Sequence, residues 1–109
     1  MHRVLFVCTQ NRMRSPTAER VFSSRPGFEV ASAGVDLGAV VPVSAELVQW
    51  ADVIFVMEPG HQSEIARRFR KHLTGKKIIC LDIPDLFEYM DPELVRLLEA
   101  RLAPFFRKP

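Results

Sequence analysis

Hydrophobic residues follow two alternating patterns along this chain: short uninterrupted runs, and longer stretches in which they recur every three or four positions. The uninterrupted runs predict four buried strands, at residues 4–7, 28–32, 53–57 and 78–81. Runs without polar interruption are typical of strands whose two faces are both covered. The pattern therefore favours a parallel sheet with helices on either side.

The periodic stretches between the runs predict helices. They begin at Ser15-Pro16, near Ser44, near His61 and at Asp91-Pro92. Serine or aspartate followed by proline is typical of an N-cap and the first helical position. We expect the first helix to end at about residue 25 and the third to cover about residues 61–73.

Regular alternation of strands and helices predicts right-handed crossovers and a doubly wound fold. We expect a single three-layer α/β domain over residues 1–109, with a four-stranded parallel sheet in the order 2-1-3-4 and helices on both faces. Ligands bind such sheets beyond the carboxyl ends of the strands. The residues that follow position 7 are therefore the first place to look for chemistry.

Composition narrows the class of function. The chain has 109 residues, of which 48% are hydrophobic, and a formal net charge of +2, which are ordinary values for one globular domain. This small charge argues against a nucleic-acid binder that relies on bulk charge, and no apolar run approaches the length of a membrane span. We expect a cytoplasmic protein without nucleic-acid or membrane partners.

Cysteines and histidines give no sign of a metal site. Cys8 and Cys80 are the two cysteines, and both are expected to be free because disulfides are rare in intracellular proteins. The three histidines share no metal-ligand spacing with either cysteine, so we expect no metal. His61 and His72 are expected at the surface of the third helix, and Cys80 is expected to be buried in the fourth strand.

Candidate chemistry lies where the first strand ends, at Cys8, a few residues before the first helix. A loop that enters a helix N-terminus directs backbone N–H groups toward one point, where the helix dipole adds partial positive charge. That point suits a phosphate and also favours the thiolate, which is the nucleophilic form of cysteine. The guanidinium of Arg14 can bind two phosphoryl oxygens, and Ser15 can donate a hydrogen bond to the sulfur.

Other phosphate-binding loops are missing from the sequence. Neither the G-x-G-x-x-G pattern nor the G-x-x-x-x-G-K-[ST] pattern occurs, so we expect no nucleotide and no other cofactor. The spacing C-x5-R-S therefore stands alone as the candidate anion site.

The stretch "VLFVCTQNRMRSPTAERVF" resembles the signature of the low-molecular-weight protein tyrosine phosphatases, a strand followed by C-x5-R-S-P and a first helix. Later stretches, "SAG", "DVIFVMEPGHQSEI" and "IPDLFEYMDPELV", are similar to later blocks of that family in the same order. This chain is shorter than the usual family member, with material missing before "WADVIFVM".

The resemblance implies roles for the residues of the loop. Cys8 attacks phosphorus and forms a phosphocysteine, while Arg14 binds the phosphoryl oxygens and stabilises the transition state. Asn11 holds the loop in shape, and Ser15 supports the thiolate. The residues whose backbone N–H groups line the substrate site are Thr9, Gln10, Asn11, Arg12, Met13 and Arg14.

Hydrolysis also needs an acid that protonates the leaving group and then activates water. Three aspartates lie close together in the sequence: Asp82, Asp85 and Asp91. Asp91 precedes a proline and is better placed as an N-cap, and Asp82 directly follows the fourth strand, where turn residues occur. Asp85 matches the acid of the family, although Leu86 follows it where the family has proline.

These features predict a metal-free cysteine phosphatase acting on phosphate monoesters, either phosphotyrosine in protein or small aryl phosphates. Phosphate, sulfate and vanadate are the anions expected to bind in its loop. The main alternative is a weak or inactive anion-binding regulatory module. An arsenate reductase would need two further cysteines for its thiol relay, and a phosphocysteine carrier would have little use for Arg14 or an acid.

Overall fold

The computed structural model describes residues 2–106; Met1 and residues 107–109 of the expected domain lie outside the described residues. Strands and helices alternate from the first element to the last. The elements are β1 (His2–Cys8), α1 (Arg14–Phe22), β2 (Phe28–Gly34), α2 (Ala45–Trp50), β3 (Val53–Val56), α3 (Pro59–Phe69), β4 (Lys77–Cys80) and α4 (Pro92–Leu102). A 3-10 turn over Arg70–His72 extends α3.

The four strands form one parallel sheet in the order β2-β1-β3-β4, which confirms the predicted topology. Cys8 pairs with Gly34 across β1 and β2, and Val7 pairs with Val56 across β1 and β3. The carboxyl ends of the strands therefore meet along one edge of the sheet. Each segment expected to carry chemistry leaves the sheet at this edge.

Side chains of β1 alternate between two hydrophobic cores, one on each face of the sheet. Phe6 lies in one core with Phe22 of α1 and Leu98 of α4 on one face. On the other face, Leu5 and Val7 lie in the same core as residues of α2 and α3. Helices on both faces thus cover the strands, which explains why the strand sequences are uninterrupted apolar runs.

Both boundaries of α1 differ from the prediction. α1 begins at Arg14, with Met13 in the N-cap position, so Ser15 lies inside the first turn and is not the N-cap. α1 also ends at Phe22, three residues before the expected end. The serine of a Ser-Pro pair is thereby released from capping, and its hydroxyl is free to face the end of β1.

The predicted start of α3 was two residues too late, whereas α2 and α4 begin as expected. α3 starts at Pro59, because Glu58 forms a capping box with His61 that extends the helix by a half turn. Ser44 caps α2 by accepting from the N–H of Leu47, and Asp91 caps α4 by accepting from the N–H of Glu93.

Cys80 is partly exposed, so the expectation that it is buried was wrong. It is the last residue of β4, at the carboxyl edge of the sheet, and its Sγ lies 3.5 Å from Oδ1 of Asp82. Desolvation raises the pKa of this thiol above its ordinary value. Cys80 and Cys8 are both free, as predicted.

A large apolar cleft lies at the opposite, amino-terminal edge of the sheet. Its volume is about 970 Å³, and Phe28, Phe55 and Phe105 are among its walls. None of the candidate site residues lines it. No helix within residues 2–106 combines the length and the hydropathy needed to cross a membrane.

Candidate active site

A pocket of about 270 Å³ opens at the carboxyl edge of the sheet, over the segment that joins β1 to α1. We call residues 9–13, between Cys8 and Arg14, the anion loop. The residues that line the pocket are Cys8, Thr9, Gln10, Arg12, Met13, Arg14 and Asp85. The two other predicted site residues, Asn11 and Ser15, are buried and do not line the pocket.

The Ser15 hydroxyl contacts the nucleophile candidate directly. Its Oγ lies 3.0 Å from Sγ of Cys8 and 3.2 Å from the carbonyl oxygen of Ala33. The hydroxyl has one proton, so it donates either to the sulfur or to the carbonyl. A thiolate only accepts hydrogen bonds, so ionised Cys8 accepts a hydrogen bond from the Ser15 hydroxyl. A thiol at Cys8 would instead donate to Ser15, and the Ser15 hydroxyl would then donate to the carbonyl oxygen of Ala33.

Asn11 fixes the shape of the anion loop from behind. Its backbone is in the left-handed region, with φ of 58°, which asparagine tolerates better than most residues. Its side-chain amide donates to the hydroxyls of Ser15 and Ser32, both at 2.9 Å. The bond to Ser15 occupies an acceptor position of that hydroxyl and so directs its proton away from Asn11.

Arg14 is 2% exposed and is already held by three groups. Both hydrogens of its Nη1 are used, because that nitrogen donates to Oε2 of Glu58 at 2.5 Å and to the carbonyl oxygen of Ile83 at 2.7 Å. Nη2 lies 3.4 Å from Oγ1 of Thr9, and Nε lies 3.8 Å from Oδ1 of Asp85. The guanidinium is thus anchored mainly through Nη1, while Nε and the second hydrogen of Nη2 remain for an anion.

The three aspartates that were considered as acids occupy different environments. Asp85 lines the pocket, and its side chain is 68% exposed. Asp91 is occupied as the N-cap of α4. Asp82 has a φ of 54° and contacts Cys80, and it does not line the pocket.

His61 is 5% exposed, so the expectation that it is a surface residue was wrong. Its Nε2 lies 2.9 Å from Oγ1 of Thr9, and its Nδ1 accepts the backbone N–H of Glu58 at 3.1 Å. Sequence reasoning missed this residue and Glu58. The spacing contains a signal for His61, since it lies four positions before buried Ile65 and hence on the same helix face.

Stability should depend on pH through His61. Burial, and secondarily the charge of Arg14, lower the pKa of this histidine below its ordinary value of 6.5. The unfolded chain therefore binds the proton first as the pH falls below 6.5, and folding loses up to about 1.4 kcal/mol per pH unit until the folded pKa is passed.

Urea unfolding of the wild type and His61→Gln between pH 7.5 and pH 5 measures this effect. The stability difference between the two proteins should shrink below pH 6.5, whereas His72→Gln should follow the wild type throughout. A difference that does not change with pH would contradict the assignment.

Gly34 supports the anion loop from β2. A Cβ at this position would lie 2.5 Å from the carbonyl oxygen of Thr9 and 2.9 Å from the backbone nitrogen of Asn11. The segment that follows Gly34 also binds the loop, because the N–H of Asp36 donates to the carbonyl of Thr9 and the N–H of Val40 to that of Gln10. The loop is therefore packed closely against β2 and its continuation.

Comparisons with known proteins identify relatives that have this arrangement of strands and helices. Residues 3–46 match the family model described as low molecular weight phosphotyrosine protein phosphatase. A protein-arginine-phosphatase of Geobacillus stearothermophilus is 34% identical over 92 aligned positions, and the match covers 62% of this chain and 62% of the relative's length.

Solved structures match over nearly the whole chain. The YwlE arginine phosphatase from Geobacillus stearothermophilus superposes with a TM-score of 0.77 at 27% identity, over 98% of this chain and 94% of that one. The tyrosine phosphatase Wzb from Escherichia coli K30, solved with phosphate, has the same fold, with a TM-score of 0.78 at 24% identity over 95% of each chain. Residues 3–46 are thus similar to the low molecular weight phosphotyrosine protein phosphatase family, and the chain has the fold of these phosphatases.

Proposed function

We propose that this chain is a cysteine-dependent phosphatase that hydrolyses phosphorylated substrates through a phosphocysteine intermediate, without a metal or cofactor. The observation that carries the proposal is the convergence on one pocket of a buried cysteine in contact with a serine hydroxyl, an anchored arginine and an exposed aspartate. A nucleophile, a cation for the phosphoryl oxygens and a proton donor are the groups that this reaction requires.

In the first step, the Cys8 thiolate attacks phosphorus, and the bond from phosphorus to the leaving atom breaks; this atom is an oxygen in a phosphate ester and a guanidino nitrogen in phosphoarginine. Asp85, protonated, donates its proton to that atom as it leaves. The Nε–Nη2 edge of Arg14 and the backbone N–H groups of the anion loop stabilise the negative charge on the three phosphoryl oxygens. The Ser15 hydroxyl donates to the sulfur while Cys8 is a thiolate. When the sulfur forms its bond to phosphorus and loses its negative charge, the hydroxyl donates to the carbonyl oxygen of Ala33 instead.

In the second step, water attacks the phosphocysteine and displaces the sulfur. Asp85, now a carboxylate, accepts the proton of the attacking water, and inorganic phosphate leaves. The electron pair of the phosphorus–sulfur bond returns to Cys8, which again accepts a hydrogen bond from the Ser15 hydroxyl. The cycle thus restores the thiolate and the protonated acid.

The substrate is either a phosphate monoester, such as phosphotyrosine in protein or a small aryl phosphate, or a phosphorylated arginine in protein. Two observations favour the second class: the protein-arginine-phosphatase relative, and a pocket lining that contains no aromatic side chain within the described residues. Asp85 becomes a carboxylate once it has donated its proton, and this carboxylate also suits a departing guanidinium. Peptides of one sequence carrying phosphotyrosine or phosphoarginine decide between the classes through the ratio of their kcat/KM values.

The test of the reaction uses the wild type, Asp85→Asn and the matched control Asp82→Asn, with reductant and chelator present. The substrates are p-nitrophenyl phosphate and phenyl phosphate, because phenoxide is the poorer leaving group and depends more on an acid. Asp85→Asn should lower kcat for phenyl phosphate by about 10²-fold and by less for p-nitrophenyl phosphate. Asp82→Asn should keep the wild-type kcat for both.

Wild-type protein that binds phosphate but does not hydrolyse either ester or either phosphopeptide would contradict the proposal. It would favour the alternative function, a regulatory module that recognises a phosphorylated partner through the same pocket. Equal effects of Asp82→Asn and Asp85→Asn would contradict the assignment of the acid alone.

A further inference from the structure

The buried contact between His61 and Thr9 takes no part in the steps above. Thr9 is the first residue of the anion loop and lines the pocket, whereas His61 belongs to the first turn of α3. Their side chains meet at 2.9 Å although 52 positions separate them in the sequence. The contact therefore joins the floor of the pocket to a helix that is not part of the loop.

The partners of the imidazole ring determine its tautomer. The backbone N–H of Glu58 donates to Nδ1 of His61 at 3.1 Å, so Nδ1 carries no proton. A neutral imidazole with a free Nδ1 carries its proton on Nε2. His61 is therefore the donor and the hydroxyl of Thr9 is the acceptor in their hydrogen bond.

The environment keeps the ring neutral. Burial and Arg14 disfavour the imidazolium and lower the pKa of His61, and they outweigh the carboxylates of Glu58 and Asp85 that act on the same ring in the opposite direction. Oε2 of Glu58 lies 3.9 Å from Nε2, beyond hydrogen-bond distance, so this carboxylate does not compete with Thr9 for the Nε2 proton.

Oγ1 of Thr9 faces a second donor, because Nη2 of Arg14 points to it from 3.4 Å. A hydroxyl has two lone pairs and one proton. Once both lone pairs face N–H donors, the proton of Thr9 has to be donated to a third group. The remaining side of Thr9 borders the pocket, where a phosphoryl oxygen would be a pure acceptor.

We propose that His61 is a positioning residue of the anion pocket: by donating to Oγ1 of Thr9, it directs the Thr9 hydroxyl proton to the bound phosphoryl group. The inference rests on the proposed function only in taking the anion to be a phosphoryl group. It assigns separate tasks to the two ring nitrogens, since Nδ1 caps α3 and Nε2 acts on the pocket.

Two substitutions of His61 separate these tasks. The side-chain amide of asparagine reaches the position of Nδ1, so His61→Asn keeps an acceptor for the N–H of Glu58 and loses the donor to Thr9. The longer amide of glutamine reaches the position of Nε2, so His61→Gln keeps the donor and loses the capping acceptor. Thr9→Val removes the hydroxyl at nearly constant volume.

The readout is the dissociation constant for inorganic phosphate, obtained from the rise in melting temperature with phosphate concentration. Thr9→Val and His61→Asn should each weaken phosphate binding about tenfold. His61→Gln should bind within about twofold of the wild type while melting at a lower temperature. The double variant Thr9→Val/His61→Asn should bind no more weakly than Thr9→Val alone, because both changes remove the same donor.

His72→Gln is the matched control, with the same change made next to α3 and away from the pocket, and it should bind phosphate as the wild type does. The nitrogen NMR chemical shifts of the His61 ring should show a neutral imidazole protonated on Nε2 at pH 7.

Wild-type affinity in His61→Asn, or effects that add fully in the double variant, would overturn the inference. Because phosphate binding is measured without turnover, a wild type that binds phosphate but hydrolyses nothing refutes the phosphatase and leaves this test intact. A wild type that phosphate does not stabilise would overturn both.

Discussion

Hydrolysis of p-nitrophenyl phosphate should fall by about 10⁴-fold or more when Cys8 is replaced by serine. The serine hydroxyl would lie at the base of the same pocket, but it stays protonated at neutral pH and is a far weaker nucleophile than a thiolate. Its neighbour at this position is the hydroxyl of Ser15, which can donate a hydrogen bond but is not a general base that would activate it. Initial rates at saturating substrate measure the loss.

The matched control is Cys80→Ser, which removes the other cysteine of the chain. Cys80 ends β4 and does not line the pocket, so this variant should keep the wild-type kcat. Cys8→Ser should still be stabilised by phosphate, since Arg14 and the loop are unchanged. Substantial turnover by Cys8→Ser would exclude Cys8 as the nucleophile, and loss of turnover in Cys80→Ser as well would show that the effect is not specific to Cys8.

The largest loss of stability is expected from Gly34→Ala. The added methyl group would lie 2.5 Å from a backbone oxygen of the anion loop and 2.8 Å from Cβ of Ala39, and neither neighbour is the end of a flexible side chain. Relief of this overlap requires β2 or the loop to move, which we expect to cost about 3 kcal/mol of the free energy of unfolding. Urea unfolding measures this loss.

A displaced loop should also bind phosphate at least about tenfold more weakly, because its N–H groups no longer point to one centre. Gly38→Ala is the control, since a Cβ there would meet only a side-chain oxygen of Asp36 at 3.9 Å. Its stability and phosphate affinity should match those of the wild type. If Gly34→Ala behaves like Gly38→Ala, the close packing of the loop against β2 has no energetic importance.

The sheet and most of the pocket could be predicted from the sequence because the signals are local. Uninterrupted apolar runs located the strands, and alternation with helices led to the parallel order β2-β1-β3-β4. The spacing from Cys8 to Arg14 placed both residues at one strand end. Each of these inferences uses residues that are neighbours in the sequence.

The remaining features depend on contacts between distant segments. Glu58 and Ile83 anchor Arg14 from 44 and 69 positions away, and no local pattern marks such partners. His61 was expected at the surface of the third helix, although its spacing from Ile65 places it on the buried face. Its burial is explained by two hydrogen bonds, one of them to a residue in another part of the chain.

The predicted start of α1 was wrong for a related reason. Ser-Pro usually marks an N-cap, but here the hydroxyl of Ser15 contacts a sulfur, a carbonyl and the amide of Asn11 in the buried interior. These tertiary contacts outweigh the local preference for capping, and α1 begins two residues earlier than predicted. The serine that departs from the usual capping pattern is thus a residue of the candidate site, at the junction of β1 and α1.

The anchoring of Arg14 also affects how quickly an anion can bind. An arginine side chain carries about 2 kcal/mol of rotamer entropy, which an exposed arginine loses when it closes over a ligand. Arg14 is buried and held by Glu58 and Ile83 before any ligand arrives. Its rotamer entropy is therefore lost when the chain folds and not when an anion binds. Capture of a phosphate therefore requires no closure of this side chain, and its rate is governed by diffusion to the mouth of the pocket.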